Sequence, residues 1–151
     1  MLKNNHFYST LIASSVFLAS PAYAISEASV MSFAGAMSAA ANNQNIGQIS
    51  RLIDDNAVIS LTRQNKTTTL DKNGYLQLLQ KSWANSTNYQ YQMNVSNIVI
   101  TGHQAIAQVN TTESWVKDGK KITLVSSSRT TLGDVSNNTV MLRSVSQITI
   151  N

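Results

Sequence analysis

The chain has 151 residues, no cysteine and a formal charge of +4 at pH 7. Without cysteine it can form no disulfide, no thiolate nucleophile and no cysteine-ligated metal site. Only 12% of the residues are charged, against a usual share of about 25%, and the lysines and arginines are scattered. No basic run with interleaved aromatic residues is present, so nucleic-acid binding is not indicated.

The start of the chain, residues 1–24, has the pattern of a cleavable signal peptide. Lys3 supplies a positive charge, residues 7–19 are apolar or small, and residues 22–24 read Ala-Tyr-Ala, a small-x-small cleavage sequence. A membrane-spanning helix needs roughly 20 apolar residues, which is more than this run provides. We expect a periplasmic or secreted protein with no stable membrane anchor after cleavage and one domain over residues 25–151. The alternative, an amphipathic first helix, lacks helical spacing of its apolar residues.

Three helices are predicted in the first half of the mature chain. Apolar residues recur every three or four positions over Glu27–Ala41 and again, more briefly, over residues 46–53. Residues 57–61 then read as a short strand. Asp71 has the side chain of a helix N-cap, which predicts a third helix over Lys72–Ala84.

The second half changes to the two-residue period of strands. Its four predicted strands are Tyr89–Ile100, Ala105–Val116, Lys121–Leu132 and Thr139–Ile150. Asp118-Gly119 suits a tight hairpin turn because glycine accepts positive φ, and residues 101–104 and 133–138 are predicted as the other turns. Helices followed by an antiparallel meander indicate an α+β fold.

Strand register predicts which side chains share the core face of the sheet. Pairing across Asp118-Gly119 puts Glu113 opposite Leu124. The same pairing sets Trp115 against Ile122, Thr111 against Ser126 and Val109 against Ser128. In the next hairpin, apolar residues align if Leu132 faces Val140, Thr130 faces Leu142 and Ile122 faces Ile150. Arg129 and Arg143 then lie side by side on the other face, which favours solvent or an anionic partner there.

Two segments resemble a known superfamily. Residues 49–58 (ISRLIDDNAV) look like a helix running into a strand, and residues 99–107 (VITGHQAIA) look like a strand, a Gly-containing turn and a small-residue strand. With the element order, they resemble the nuclear transport factor 2-like superfamily, which includes ketosteroid isomerase, scytalone dehydratase and polyketide-cyclase-type proteins. The resemblance implies a cone-shaped, cystatin-like sheet with a pocket between its concave face and the helices. It also implies homodimerisation through the convex sheet face.

Glu113 is the candidate catalytic residue. On the predicted register its carboxyl group points to the apolar face, where burial would raise its pKa and suit it to general acid or base work. The alternative is that Glu113 lies near the mouth of the cone or pairs with a lysine. The tyrosines needed for an isomerase-like site are present, but no motif position identifies them.

The remaining pocket candidates are aromatic residues and small hydroxyl residues predicted to face the cone. They are Tyr75, Trp83, Tyr91, Trp115, Thr111, Ser126, Ser128 and Ser144. Small hydroxyl residues indicate space for a ligand or water, because a filled core would use larger aliphatic side chains. The aromatic residues could equally serve as ordinary core.

Other titratable residues have ordinary explanations. His103 falls in a predicted turn, where a solvated role is typical, and Asp54 and Asp55 suit a cap or turn. One histidine with scattered acids predicts no metal site, and no cofactor motif is present. We therefore expect binding of a small apolar or amphipathic ligand, or of a protein partner, in the cone. The alternatives are an isomerase, dehydratase or hydrolase using Glu113, and a structural dimeric domain with a filled cone.

Overall fold

A computed structural model describes residues 24–151, so the predicted signal peptide, apart from Ala24, lies outside the described residues. The described chain contains three helices and six strands. In chain order they are α1 (Glu27–Asn42), α2 (Ile46–Arg51), β1 (Ile53–Arg63), β2 (Lys66–Leu70), α3 (Lys72–Ala84), β3 (Thr87–Thr101), β4 (Gln104–Lys117), β5 (Lys120–Val135) and β6 (Asn138–Ile150). Within residues 24–151, no helix is long and apolar enough to cross a membrane.

The strands form one curved, unclosed sheet in the order β2-β1-β6-β5-β4-β3. Neighbouring strands are antiparallel except β1 and β6, which pair in parallel after the chain has crossed from one side of the sheet to the other. Helix α1 packs against β3, and α3 packs against β1. Helices on one face of a largely antiparallel sheet confirm the predicted α+β class.

The local signals for α1 and α3 were read correctly. In α1, Ser26 and Ser29 form a capping box, each side chain hydrogen-bonding the other residue's backbone N–H at 3.1 and 2.8 Å. In α3, Asp71 accepts a hydrogen bond from the Gly74 N–H at 2.7 Å, as an N-cap should. The apolar stripe of α1 is buried at Val30, Phe33, Met37, Ala40 and Ala41.

The region between α1 and α3 differs from its prediction. Helix α2 ends at Arg51, and Ile53 already begins β1, which runs on to Arg63 instead of covering residues 57–61 only. Gln64 and Asn65 turn the chain with positive φ angles of 50° and 62°, and β2 follows. Because β2 is a mostly exposed edge strand of sequence KTTTL, it lacks the apolar alternation that reveals a strand.

The sheet register was predicted correctly for one hairpin and wrongly for the next. Across Asp118-Gly119, Glu113 pairs with Leu124, as expected. Between β5 and β6, however, Thr130 pairs with Ser144 and Leu124 with Ile150, a shift of two residues from the predicted pairing. One residue of the shift arises because residues 133–135 continue β5, with the turn at residues 136 and 137, which both have positive φ. The second arises at the register irregularity between Thr131 and Leu132.

A shift of two residues leaves most side chains on their predicted faces, because the strand period is two. The exception lies at a register irregularity, where Leu132 pairs with Met141 instead of Val140. Met141 therefore faces the core, whereas Leu142, predicted to be a core residue, covers the backbone of Gly133. Arg129 and Arg143 are also not side by side.

The convex face of the sheet carries both arginines exposed, with Val145 opposite Arg129 and Thr131 opposite Arg143. The predicted repulsive pair is thus wrong, and the argument it gave for an anionic partner on this face falls away. Val145 is 40% exposed. Homodimerisation through this face stays a prediction.

The contact between Gly133 and Leu142 predicts the effect of one substitution. A Cβ atom on Gly133 would lie 2.5 Å from Leu142 Cδ1 and 3.0 Å from its Cγ, so Gly133→Ala must displace a packed side chain. We expect a loss of about 1–3 kcal/mol in the free energy of unfolding, measured by urea denaturation. The matched control is Gly35→Ala in α1, where a Cβ meets nothing within 4 Å. That change should stabilise the protein by about 0.5–1 kcal/mol. Equal effects of the two substitutions would contradict the packing argument.

Candidate functional site

A cavity of about 130 Å³ lies between the concave face of the sheet and the helices. Phe33 and Met37 of α1, and Tyr75 and Leu79 of α3, form its helical side. Strands β1, β3, β4, β5 and β6 provide the opposite wall. Among the described residues that line it there is no lysine, arginine or histidine, and Glu113 is the one carboxylic acid.

Six small residues make one wall of this cavity polar. We call them the hydroxyl strip: Thr111, Ser126, Ser128, Thr130, Ser144 and Ser146, all buried. Thr111 and Ser126 share a hydrogen bond, the Ser128 hydroxyl donates to the Val109 carbonyl at 3.1 Å, and Ser144 and Ser146 are 3.2 Å apart. The strip therefore satisfies its hydroxyls largely among themselves. Each hydroxyl can both donate and accept, so the wall can also serve a ligand of either polarity.

Glu113 lies on β4, where it pairs with Tyr91 of β3 and Leu124 of β5. The Tyr89 hydroxyl donates a hydrogen bond of 2.7 Å to Glu113 Oε2. Burial raises the pKa of Glu113, and the Tyr89 hydrogen bond offsets part of this effect. Glu113 forms no ion pair with a lysine among the described residues, which was one alternative predicted for it. Its carboxyl group lines the cavity.

Three tyrosines surround this carboxyl group. Burial, and then the negative charge of Glu113, raise the pKa of Tyr75 and of Tyr89. The pKa of Tyr91 is also raised, mainly by burial. All three hydroxyls therefore keep their protons at ordinary pH and act as neutral donors. With the Glu113 carboxyl group, Tyr75 and Tyr91 add hydroxyl donors to the cavity wall beside the hydroxyl strip.

The structure brings the pocket candidates to the cavity wall with one exception. Lining residues predicted from sequence are Tyr75, Tyr91, Thr111, Glu113, Trp115, Ser126, Ser128 and Ser144. Trp83 does not line the cavity. It is 8% exposed and packs edge-on against Tyr89, with ring centroids 6.1 Å apart, so it supports the tyrosine that holds Glu113. Trp83 is therefore a packing residue behind the cavity wall in this structure.

Sequence reasoning missed two residues that matter here. Tyr89 begins the first of the four predicted strands, two residues before Tyr91, and the alternation of strand side chains could have placed both on the same face. Leu78 was missed because it lies outside the buried stripe of α3. It is 41% exposed and yet lines the cavity, so helical periodicity gives no signal for it.

The remaining polar candidates have local roles, as expected. His103 is exposed in the turn between β3 and β4. Asp54 accepts the Asn56 N–H at 3.0 Å, and Asp55 forms an ion pair of 2.9 Å with Lys72. Among residues 24–151, no three histidine or acidic side chains converge on a point where they could hold a metal ion.

No protein-family model matches the chain, and no curated protein matches it. Solved structures do. A conserved protein from Planctomyces limnophilus gives a TM-score of 0.72 at 12% identity, over 83% of this chain and 97% of that chain. A nuclear transport factor 2-like protein with a cystatin-like fold, from Novosphingobium aromaticivorans, gives 0.64 at 12% identity, over 80% of each chain.

This is a nuclear transport factor 2-like fold. A ketosteroid isomerase-like protein from Erwinia carotovora atroseptica has the same architecture, with a TM-score of 0.63 at 13% identity over 80% of this chain and 94% of that chain. The fold predicted from the sequence is thus confirmed. Identities this low show shared architecture and say nothing about shared chemistry, because this fold carries many functions.

The buried carboxyl group predicts a pH dependence of stability. The folded protein holds the Glu113 proton more tightly than the unfolded chain, where the ordinary pKa is 4.5. Stability is therefore lost as the pH rises from 4.5 through the raised folded-state pKa of Glu113. Glu113→Gln removes this loss while keeping an oxygen that accepts the Tyr89 hydrogen bond.

We expect the variant to gain stability relative to the wild-type protein as the pH rises through that window. Urea denaturation of both proteins at a series of pH values measures the difference. A difference that stays constant with pH would show that Glu113 has the same pKa in the folded and unfolded states.

Proposed function

We propose that this domain binds a small, mostly apolar molecule inside its cone. The observation that carries the proposal is the cavity itself, which joins apolar helical residues on one side to the hydroxyl strip on the other. An apolar ligand would gain free energy by leaving water, and the strip would orient any polar group it carries. A filled cone would leave no such volume.

The size of the cavity limits the ligand. At about 130 Å³ it is smaller than a typical ligand pocket of roughly 300–1,000 Å³. An engineered apolar cavity of about 150 Å³ in another protein binds benzene, which sets a useful scale. One six-membered ring, or a chain of about six carbons, therefore fits without rearrangement. A larger ligand must extend beyond this volume or displace side chains of the cavity wall.

A pair of serines on β5 provides a test of binding in the cone. Ser128 is buried on the hydroxyl strip, whereas its neighbour Ser127 is exposed on the convex face. Ser128→Leu should fill part of the cavity, and Ser127→Leu adds the same side chain outside it. Cyclohexanol and 1-hexanol serve as probes.

A ligand present at about a hundred times its Kd raises the free energy of unfolding by about 2.7 kcal/mol. We expect such a gain, seen as a higher Tm, for the wild-type protein and for Ser127→Leu, and a lost or much reduced gain for Ser128→Leu. If the probes raise the Tm of all three proteins equally, they bind elsewhere and the cone is not the site.

One observation favours a second function, an isomerase, dehydratase or hydrolase with Glu113 as general acid or base. The carboxyl group lines the cavity and is held by the Tyr89 hydroxyl at 2.7 Å. A raised pKa brings a carboxyl group closer to neutral pH, where a general base works best. The neutral tyrosine hydroxyls could stabilise an oxyanion formed beside it.

Proton transfer can be tested without knowing the natural substrate. A ketone such as cyclohexanone exchanges the hydrogens next to its carbonyl group with deuterium from D₂O when a base removes and returns a proton. We expect catalysed exchange, followed by proton NMR, to fall by about 10²–10⁴-fold in Glu113→Gln. The control is Glu27→Gln, at an exposed position in the first turn of α1. Equal exchange in both variants would leave binding as the function of the cone.

A further inference from the structure

A second concave feature adjoins the cone. An open groove of about 630 Å³ runs between the β1–β2 hairpin and α3. The hairpin contributes Arg63 and Lys66, and α3 contributes Gln77 and Lys81. Strand β2, which was not predicted, forms one side of this groove, so sequence reasoning did not anticipate it.

The charge of the groove has one sign. Arg63, Lys66 and Lys81 are exposed along it, and no aspartate or glutamate is among its lining residues. Within the described part of the chain these three cations form no ion pair, whereas Lys72, nearby on α3, is paired with Asp55. In a chain with only 12% charged residues, three unopposed cations in one groove form a local concentration of positive charge.

The groove and the cone share part of their walls. Leu61 of β1 and Leu78 of α3 line both spaces. Leu78 is 41% exposed, so an apolar surface leads out of the cone and reaches the groove where the cations begin. A molecule that is seated in the cone and reaches the groove would therefore pass Leu61 and Leu78, the two leucines that both spaces share.

We infer that the cone binds an anionic amphiphile, with its apolar part in the cavity and its carboxylate or phosphate group in the groove beside Arg63, Lys66 and Lys81. The inference rests on the proposed function of the cone and adds the chemical class of its ligand. An anionic group cannot follow the apolar part inward. The cavity wall contains no cation, and burying an unpaired charge there is costly.

The test compares head groups on a chain that fits the cavity. Hexanoate, 1-hexanol and hexylamine share six carbons and differ in charge, and hexyl phosphate separates phosphate from carboxylate recognition. Kd values for the purified protein are measured by NMR chemical-shift titration. We expect hexanoate or hexyl phosphate to bind more tightly than 1-hexanol, and hexylamine to bind most weakly.

The groove itself is tested with Lys66→Gln/Lys81→Gln. Because exposed ion pairs are weak, we expect this double variant to raise the Kd of the anionic probe by about three- to tenfold. The Kd of 1-hexanol should not change, which also shows that the variant is folded. The matched control, Lys120→Gln/Lys121→Gln, removes the same charge near the β4–β5 turn and should leave both Kd values unchanged.

Two results would overturn the inference in distinguishable ways. If 1-hexanol binds as tightly as the anionic probes, or if both double variants weaken the anions equally, the cone binds its ligand without a head-group site in the groove. If none of the four probes binds, the proposed function fails with it.

Discussion

The two-residue alternation of side chains along β4, β5 and β6 is the constraint on which the rest of the molecule depends. These strands are long, and their register decides which residues face the helices and which face outward. The cavity is lined by Thr111, Ser126 and Ser144 because each occupies a strand position whose side chain points to the concave face of the sheet. The hydroxyl strip is thus a consequence of pairing, since its members come from three separate strands.

Against this background, Glu113 is the residue whose placement is least favourable by itself. The same alternation places its carboxyl group in the cavity, where burial opposes ionisation. The hydrogen bond from Tyr89 favours the ionised carboxylate and so offsets part of the effect of burial. Trp83 packs on the ring of Tyr89. A folded protein that keeps an acid in such a position retains a group whose protonation can respond to a bound molecule, and an all-aliphatic wall would lack this capacity.

Much of this arrangement could be predicted from sequence because it depends on local rules. The Asp71 cap, the α1 stripe and the Asp118-Gly119 turn each have a direct chemical signature, and the turn was enough to place Glu113 opposite Leu124. Strand β2 has no such signature, because an exposed edge strand need not alternate. The groove beside it was therefore invisible to sequence reasoning.

Long-range details were harder to predict for a different reason. Gly133 was predicted to lie in a turn, yet it lies in β5, where its missing side chain leaves room for the packing of Leu142. Composition alone does not separate these two uses of glycine. Likewise, Trp83 was predicted either to line the pocket or to fill the core, because a sequence pattern cannot say whether a buried ring meets a cavity or another ring.

The β5–β6 hairpin also shows how this architecture can tolerate changes in length. A displacement of two residues along β6 keeps every serine and threonine of the cone wall on the same face. Related chains could therefore gain or lose residues in pairs at this turn and still enclose a cavity of the same character. A single inserted residue would move the concave side chains of the strand to the convex face, unless a local bulge accommodates it. The register irregularity beside Met141 and Leu142 absorbs such a residue, and it confines the change of face to these two side chains.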